Sequence, residues 1–297
     1  MNSDTEALWA IMNEPMWLGT VGFMFGALVG SFLNVVIYRL PLEQSVVFPA
    51  SHCPSCDAKI KPWDNIPILS YLLLRAKCRN CTQHISLRYP AVELLTAVVF
   101  ASIALRFGPS LETLLFVMFA AGLIVAGLVD VDHQIIPDEI SIGGLVVGLF
   151  AMPAVMVYTG ATATAALTYS FLGALLGGGM LWIVGFLHAR VCVMAGREFE
   201  HWPGEGEENP RPNQADYWMW FPGMGFGDIK LLAMIGAFLG PVGVVTTVLL
   251  ASVLGLALGL GWALFTRTWN SPFGFGPAIA AAALLSLFLP ENLFLLS

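Results

Sequence analysis

Leu111-Glu-Thr-Leu-Leu-Phe-Val-Met-Phe-Ala-Ala-Gly-Leu-Ile-Val-Ala-Gly-Leu-Val-Asp130-Val-Asp132-His133 is the stretch whose reading decides the architecture. Its apolar part, 111 to 129, approaches the roughly 18 to 20 residues that a helix needs to cross about 30 Å of hydrocarbon. A membrane barrel would show short alternating segments instead. A continuous run rich in Gly, Ala and Leu must satisfy its backbone hydrogen bonds within itself, which means a helix. The run ends on Asp130 and Asp132, and Pro137-Asp138 opens the next helix.

Similar runs recur along the chain. With boundaries good to a few residues they are 17 to 37, 90 to 106, 111 to 129, 140 to 158, 164 to 187, 229 to 240, 242 to 265 and 273 to 290. The sixth stops at Gly240-Pro241 and reads as short, tilted or shielded by neighbours. The composition agrees: 57% of the 297 residues are hydrophobic and 11% are charged, against about 25% charged in a soluble domain. The expected fold is an all-α polytopic membrane protein of about eight transmembrane helices. Asp4, Glu6 and Glu14 precede the first run with no basic residue, opposite to a signal-peptide n-region, so that run reads as a retained span.

Lysine and arginine set the orientation. With the N-terminus outside, twelve of the thirteen basic residues fall in cytoplasmic loops and only Arg106 does not, a strong positive-inside bias. The net charge of -7 comes with acids clustered in loops and no basic stripe, which excludes a nucleic-acid partner. The lipid bilayer is the expected surrounding.

The chain divides into an N-terminal segment with the first span (1–37), a cytoplasmic loop domain (38–89) and a membrane region (90–297). The last is interrupted by a polar insertion at about 188–224. Six acids and two basic residues fall between Arg197 and Asp216, a composition that favours a mobile loop.

Cys53-Pro-Ser-Cys56 and Cys78-Arg-Asn-Cys81 lie in the loop domain, 21 residues apart. Two such knuckles can supply four thiolates to one structural zinc ion. Two disulfides are the alternative, which a reducing cytoplasm disfavours. Four thiolates leave no coordination position for a substrate water, so the ion's expected role is to fold a loop too small for a core. Cys192 reads as a small buried hydrophobe.

Aspartates at span ends are costly to desolvate and call for water or a function. Asp130, Asp132 and Asp138 end one span and open the next, and Gly225-Phe-Gly227-Asp228-Ile-Lys230 enters the sixth. Counting spans places both groups at the cytoplasmic face. Two facing carboxylates can share a proton, one acting as base on a water and the other as acid on a peptide carbonyl. Gly225 and Gly227 keep side chains away from Asp228 and permit close approach of an extended peptide. Taken singly, Gly-x-Gly-Asp also fits a helix N-cap after a glycine turn, and the other acids fit solvated loop charges.

These residues resemble the bacterial prepilin peptidases over nearly the whole chain. Gly30-Ser-Phe-Leu-Asn-Val-Val-Ile-Tyr-Arg-Leu-Pro41 looks like that family's first-helix signature. Asp64-Asn65-Ile-Pro, Lys77-Cys-Arg-x-Cys, Val92-Glu-Leu-Leu, Gly227-Asp228-Ile-Lys230 and Phe273-Gly-x-Gly-Pro277 continue it. The family's Asp-x6-Pro pattern, closed here by Pro137, selects Asp130 over Asp132, with Asp228 as the second catalytic carboxylate and Gly225, Gly227 and Lys230 in support. The resemblance implies an aspartyl peptidase of the inner membrane. It would cut after a glycine that ends the basic leader of pilin and pseudopilin precursors, in type IV pilus and type II secretion systems. It also implies methylation of the new N-terminal residue with S-adenosylmethionine.

Two departures stand out. The family usually has glycine at the position of Ala76, where a positive φ or a close ligand approach would oppose alanine. The acidic insertion lengthens the chain between Glu198 and Met224, and its acids can attract a basic leader or form a solvated linker. Competing readings are a peptidase without methyl transfer, its zinc loop purely structural, and a cation or proton transporter.

Overall fold

The computed structural model describes residues 12–197, 211–219, 221, 225–266 and 274–289, and among these the fold is helical apart from turns and isolated backbone bridges. The elements are α1 (Pro15–Arg39), α2 (Leu69–Leu73), α3 (Arg88–Phe107), α4 (Leu111–His133), α5 (Asp138–Tyr158), α6 (Ala163–Met194), α7 (Asp216–Met219), α8 (Phe226–Thr266) and α9 (Gly276–Ser286). Among the described residues six of these, α1, α3, α4, α5, α6 and α8, are long and apolar enough to cross a bilayer.

The first five expected runs coincide with α1, α3, α4, α5 and α6 to within a few residues at most boundaries. The sixth and seventh lie together on α8. Its backbone leaves the helical region at Gly240, with φ 65 and ψ -175. Pro241 lacks an N–H and clashes with a preceding carbonyl, glycine accepts the positive φ, and the Tyr169 ring stands where a Cβ would be. The eighth run appears as α9, whose 11 residues begin at Gly276-Pro277, the proline occupying a first-turn position that lacks an intrahelical partner anyway.

The chain forms two compact units, Met1–Val125 and Ala126–Ser297, divided within α4. In the first, α1 lies along α3. A Cβ at Gly26 would come within 2.7 Å of the Ala97 Cα and the Thr96 carbonyl, so only glycine lets the two backbones approach this closely. The contact is pinned at its loop end. Asn34 Nδ2 donates to the Tyr89 carbonyl at 3.1 Å, and the buried Glu93 carboxylate accepts the Ile68 N–H at 2.7 Å. Glu93 thereby ties the loop between α1 and α3 to a membrane helix.

In the second unit α6 and α8 cross at Gly173 and Gly236, whose backbones touch so closely that a Cβ on either would overlap the other's carbonyl. The helices α5 and α9 pack beside α8. The insertion differs in part from the mobile loop expected of its composition. Residues 211–216 are exposed, but Tyr217, Trp218 and Phe221 find aromatic partners on α6. The acids from Glu198 to Glu208 lie outside the described residues.

Candidate active site

Helix α4 ends because Gln134 turns to φ 55, and its N–H still closes on the Asp130 carbonyl at 2.9 Å. The last turn puts Asp130 and Asp132 on different sides of the helix, since two residues advance about 200°. Asp130 is 5% exposed, whereas Asp132 is open to the surroundings. A carboxylate at a helix C-terminus sits at the unfavourable end of that helix's dipole. The remedy comes from α9: the Gly276 N–H, at that helix's positive end, donates to Asp130 Oδ2 at 3.1 Å. Side chains are excluded around it, because a Cβ at Gly274 or Gly276 would run into the Asp130 carboxylate.

Asp228 occupies the first turn of α8, again the favourable end of a helix for an anion. A Cβ on Gly225 would lie 3.9 Å from Asp228 Oδ2, and one on Gly227 would press on the Ile136 side chain at 3.1 Å. The glycine-rich turn therefore abuts the residue before Pro137. Asp130 acts on Asp228 through space as its neighbouring charge. Lys230 forms an ion pair with Asp138, the first residue of α5, and its ammonium lies 5.7 Å from the Phe226 ring centroid. The buried Pro137 caps α5, its carbonyl accepting from the Ser141 backbone and hydroxyl.

The structure thus brings together every sequence-selected member of this site: Asp130, Pro137, Gly225, Gly227, Asp228 and Lys230. Two features escaped the sequence reading. The Gly-x-Gly-Pro277 segment was visible as a motif, but nothing in one dimension directs its N–H toward Asp130. Asp138, which fits a solvated loop charge as well as the site motif, stays exposed, and its pairing with Lys230 is not evident from the sequence.

The four cysteine sulfurs of the loop domain lie within 4.8 Å of one another, and Cys53 Sγ and Cys81 Sγ are 3.8 Å apart. A zinc–sulfur bond of about 2.3 Å gives tetrahedral edges of about 3.8 Å, so the quartet fits that ion. Backbone bridges His52–Lys59 and Lys77–His84 fold each knuckle back on itself. Asn80 donates to Cys78 Sγ through its backbone and to Cys56 Sγ through its amide. The Cys81 and Asn80 N–H groups bring the Cys78 thiol down to about 7. Cys81 feels an opposing pull from Gln83 but is pushed up to about 12 by burial and the neighbouring thiols. So divided a set of thiols cannot all ionise together without a cation among them.

Residues 116–260 match the Type IV leader peptidase family, and residues 24–107 match the Bacterial Peptidase A24 N-terminal domain. A prepilin leader peptidase/N-methyltransferase of Pseudomonas putida is 34% identical, the alignment covering 97% of this chain and 96% of that one. The protein of that name from Pseudomonas aeruginosa is 33% identical over 95% and 94%. A type 4 prepilin-like proteins leader peptide-processing enzyme of Escherichia coli is 31% identical over 92% and 93%. No solved structure matches. Apolar helices and full-length relatives define the class, a multi-pass membrane enzyme of the peptidase type. Within that class, the chain belongs to the type IV leader peptidase family.

Proposed function

We propose that Asp130 and Asp228 are the catalytic pair of an aspartyl endopeptidase that removes the basic leader from prepilin and pseudopilin precursors at the cytoplasmic face of the inner membrane. The observation that carries the reading is where the two acids stand: the turn 225–228 at the start of α8 abuts Ile136 in the turn that follows Asp130, and Asp130 is held by a third helix's N–H. Carboxylates so placed hold one proton between them. The ionised member takes a proton from water as the oxygen attacks the scissile carbonyl. The protonated member donates to that carbonyl and the departing amine receives a proton as the C–N bond breaks. Gly225 and Gly227 admit the extended peptide, and Lys230, held by Asp138, supports the turn.

Eight crossings suit this site. Helix α8 carries Asp228 in its first turn and the chain is back beside Asp130 at Gly276, which suits an even number of passes between them. The break at Gly240 divides this 41-residue stretch into two helices, which together amount to about 60 Å, or about twice the hydrocarbon thickness. With the N-terminus periplasmic, this count also keeps the positive-inside pattern.

The second activity is N-methylation of the new N-terminus with S-adenosylmethionine, the activity named in the relatives. The domain over 38–89 supports it, with Cys53, Cys56, Cys78 and Cys81 holding a zinc ion that folds the loop. A peptidase without methyl transfer is favoured by one observation: Ala76 adopts φ 58, a conformation suited to glycine.

The test is cleavage of a synthetic precursor by the purified full-length protein in lipid nanodiscs. Asp130→Asn and Asp228→Asn should each lower kcat by about 10³ or more, because paired groups act as a unit. Full processing by either variant would refute the assignment. Mass spectrometry of the product, with S-adenosylmethionine present, reads the second activity.

A further inference from the structure

The cytoplasmic end of α6 carries a cation that the reaction does not use. Arg190 has its guanidinium carbon 3.8 Å from the Tyr217 ring centroid and 5.3 Å from that of Phe186. Its Nε and Nη2 are buried and have no hydrogen-bond partner among the described residues. The contrast lies within the same molecule: Arg79 presents those two nitrogens to the Asp64 carboxylate. Arg190 is therefore held by ring faces, an attraction that strengthens when water is excluded.

The rings extend the contact. Trp218 stacks on Phe186 at 5.4 Å, and Trp182 Nε1 donates to the Trp218 carbonyl at 2.8 Å. Phe221 is 3% exposed and shares one buried cluster with Ala189 of α6 and Ile229 of α8. Ile229 is the residue after Asp228. Tyr217 and Trp218 are thus fastened to α6, and Phe221 joins the buried cluster that reaches the first turn of α8.

We propose that Arg190 and the aromatic side chains around it form a clamp that positions Asp228 for leader cleavage, with Arg190, Tyr217, Trp218 and Phe221 as positioning residues. The proposal rests on the reading of Asp228 as catalytic. Cation and rings hold Tyr217 and Trp218 on α6, Phe221 then completes the buried cluster with Ala189 and Ile229, and this cluster fixes where the first turn of α8 presents its carboxylate. Small displacements of a reacting group are costly, about 10²-fold for 1 Å, so the clamp acts on turnover more than on binding.

The experiment compares Tyr217→Leu, Tyr217→Phe, Arg190→Met and Arg190→Lys with the wild-type chain in nanodiscs, measuring kcat and KM on a synthetic precursor. Hydrogen exchange across 226–232 is followed in parallel. Tyr217→Leu and Arg190→Met should lose about tenfold in kcat at unchanged KM and exchange faster at 226–232, since ring and charge are both needed for the attraction. Tyr217→Phe should retain the wild-type kcat and Arg190→Lys should fall between. Wild-type turnover in Tyr217→Leu, or a Tyr217→Phe as poor as Tyr217→Leu, would overturn the clamp. Full cleavage by Asp228→Asn would overturn the site reading instead, a separable outcome because every clamp variant keeps Asp228. A variant too unstable to assay is replaced by Trp182→Phe, which keeps the stacking and loses the bond to the Trp218 carbonyl. It should show a smaller fall in kcat, and no change at all would count against the clamp.

Discussion

The cysteine loop and the carboxylate site are built by opposite means. The loop takes its order from chemistry close in sequence: two knuckles, two short backbone bridges and four sulfurs close enough to share one ion. The carboxylate site takes its order from packing, with contributions from α4, α5, α8 and α9 that meet only when four helices settle against one another. The first can be destroyed by removing a ligand and the second by shifting a helix. A damaged loop should leave the helices in place, whereas a damaged helix crossing should reach the acids without touching the sulfurs.

The largest expected effects test that independence directly. Asp228→Asn should abolish cleavage while leaving one zinc per chain by elemental analysis and methyl transfer to a pre-cut peptide intact. The double variant Cys56→Ser/Cys81→Ser should do the reverse, binding no zinc and losing methyl transfer while cleaving within a few-fold of the wild type. Loss of cleavage in the cysteine variant would show that the two regions are coupled.

A smaller effect probes the packing. Gly173→Leu places a side chain where the Gly236 backbone stands and should cost about 3 kcal/mol, the upper end of the usual overpacking penalty. Unfolding of the detergent-solubilised protein measures it, and zinc content should not change.

Smaller again is Ala76→Gly. Alanine at φ 58 carries about 1 to 2 kcal/mol of strain, partly offset by the entropy that glycine loses on folding. The net gain should be about 0.5 to 1 kcal/mol, read as slower zinc release to a chelator. A rise in methyl transfer in the same variant would link that backbone angle to the second activity.

The smallest effect lies at Asp64. The Arg79 guanidinium holds its carboxyl below the usual carboxylate range. A group depressed in the folded state contributes stability above its unfolded value of about 3.9, and that contribution fades as pH falls through the lower folded value. Asp64→Asn should lose a small contribution near neutrality, small because the pair is partly exposed, and match the wild type at low pH, so that the acid limb of the loop's stability profile flattens.

Much of this was legible in one dimension. Apolar runs long enough for a bilayer marked the helices, Gly240-Pro241 marked the break in α8, and Cys-x-x-Cys spacing marked the quartet. The aromatic run Tyr217-Trp-Met-Trp-Phe221 was equally visible, yet the acids beside it made the insertion read as a linker. Its partners, Trp182, Phe186 and Arg190, sit on a helix whose sequence resembles any other span.

By itself the sequence determined that this chain is a bundle of membrane helices with a four-thiolate loop, because hydropathy and ligand spacing are local properties. Only the tertiary structure decided that Asp130 faces inward and Asp132 outward, that the Gly276 N–H supports Asp130, that Lys230 turns to Asp138, and that Arg190 lies against Tyr217 and Phe186. Those outcomes depend on the rotation of each helix about its axis and on where close glycine contacts let the helices cross. Neither quantity is carried by a pattern of residues along a single segment.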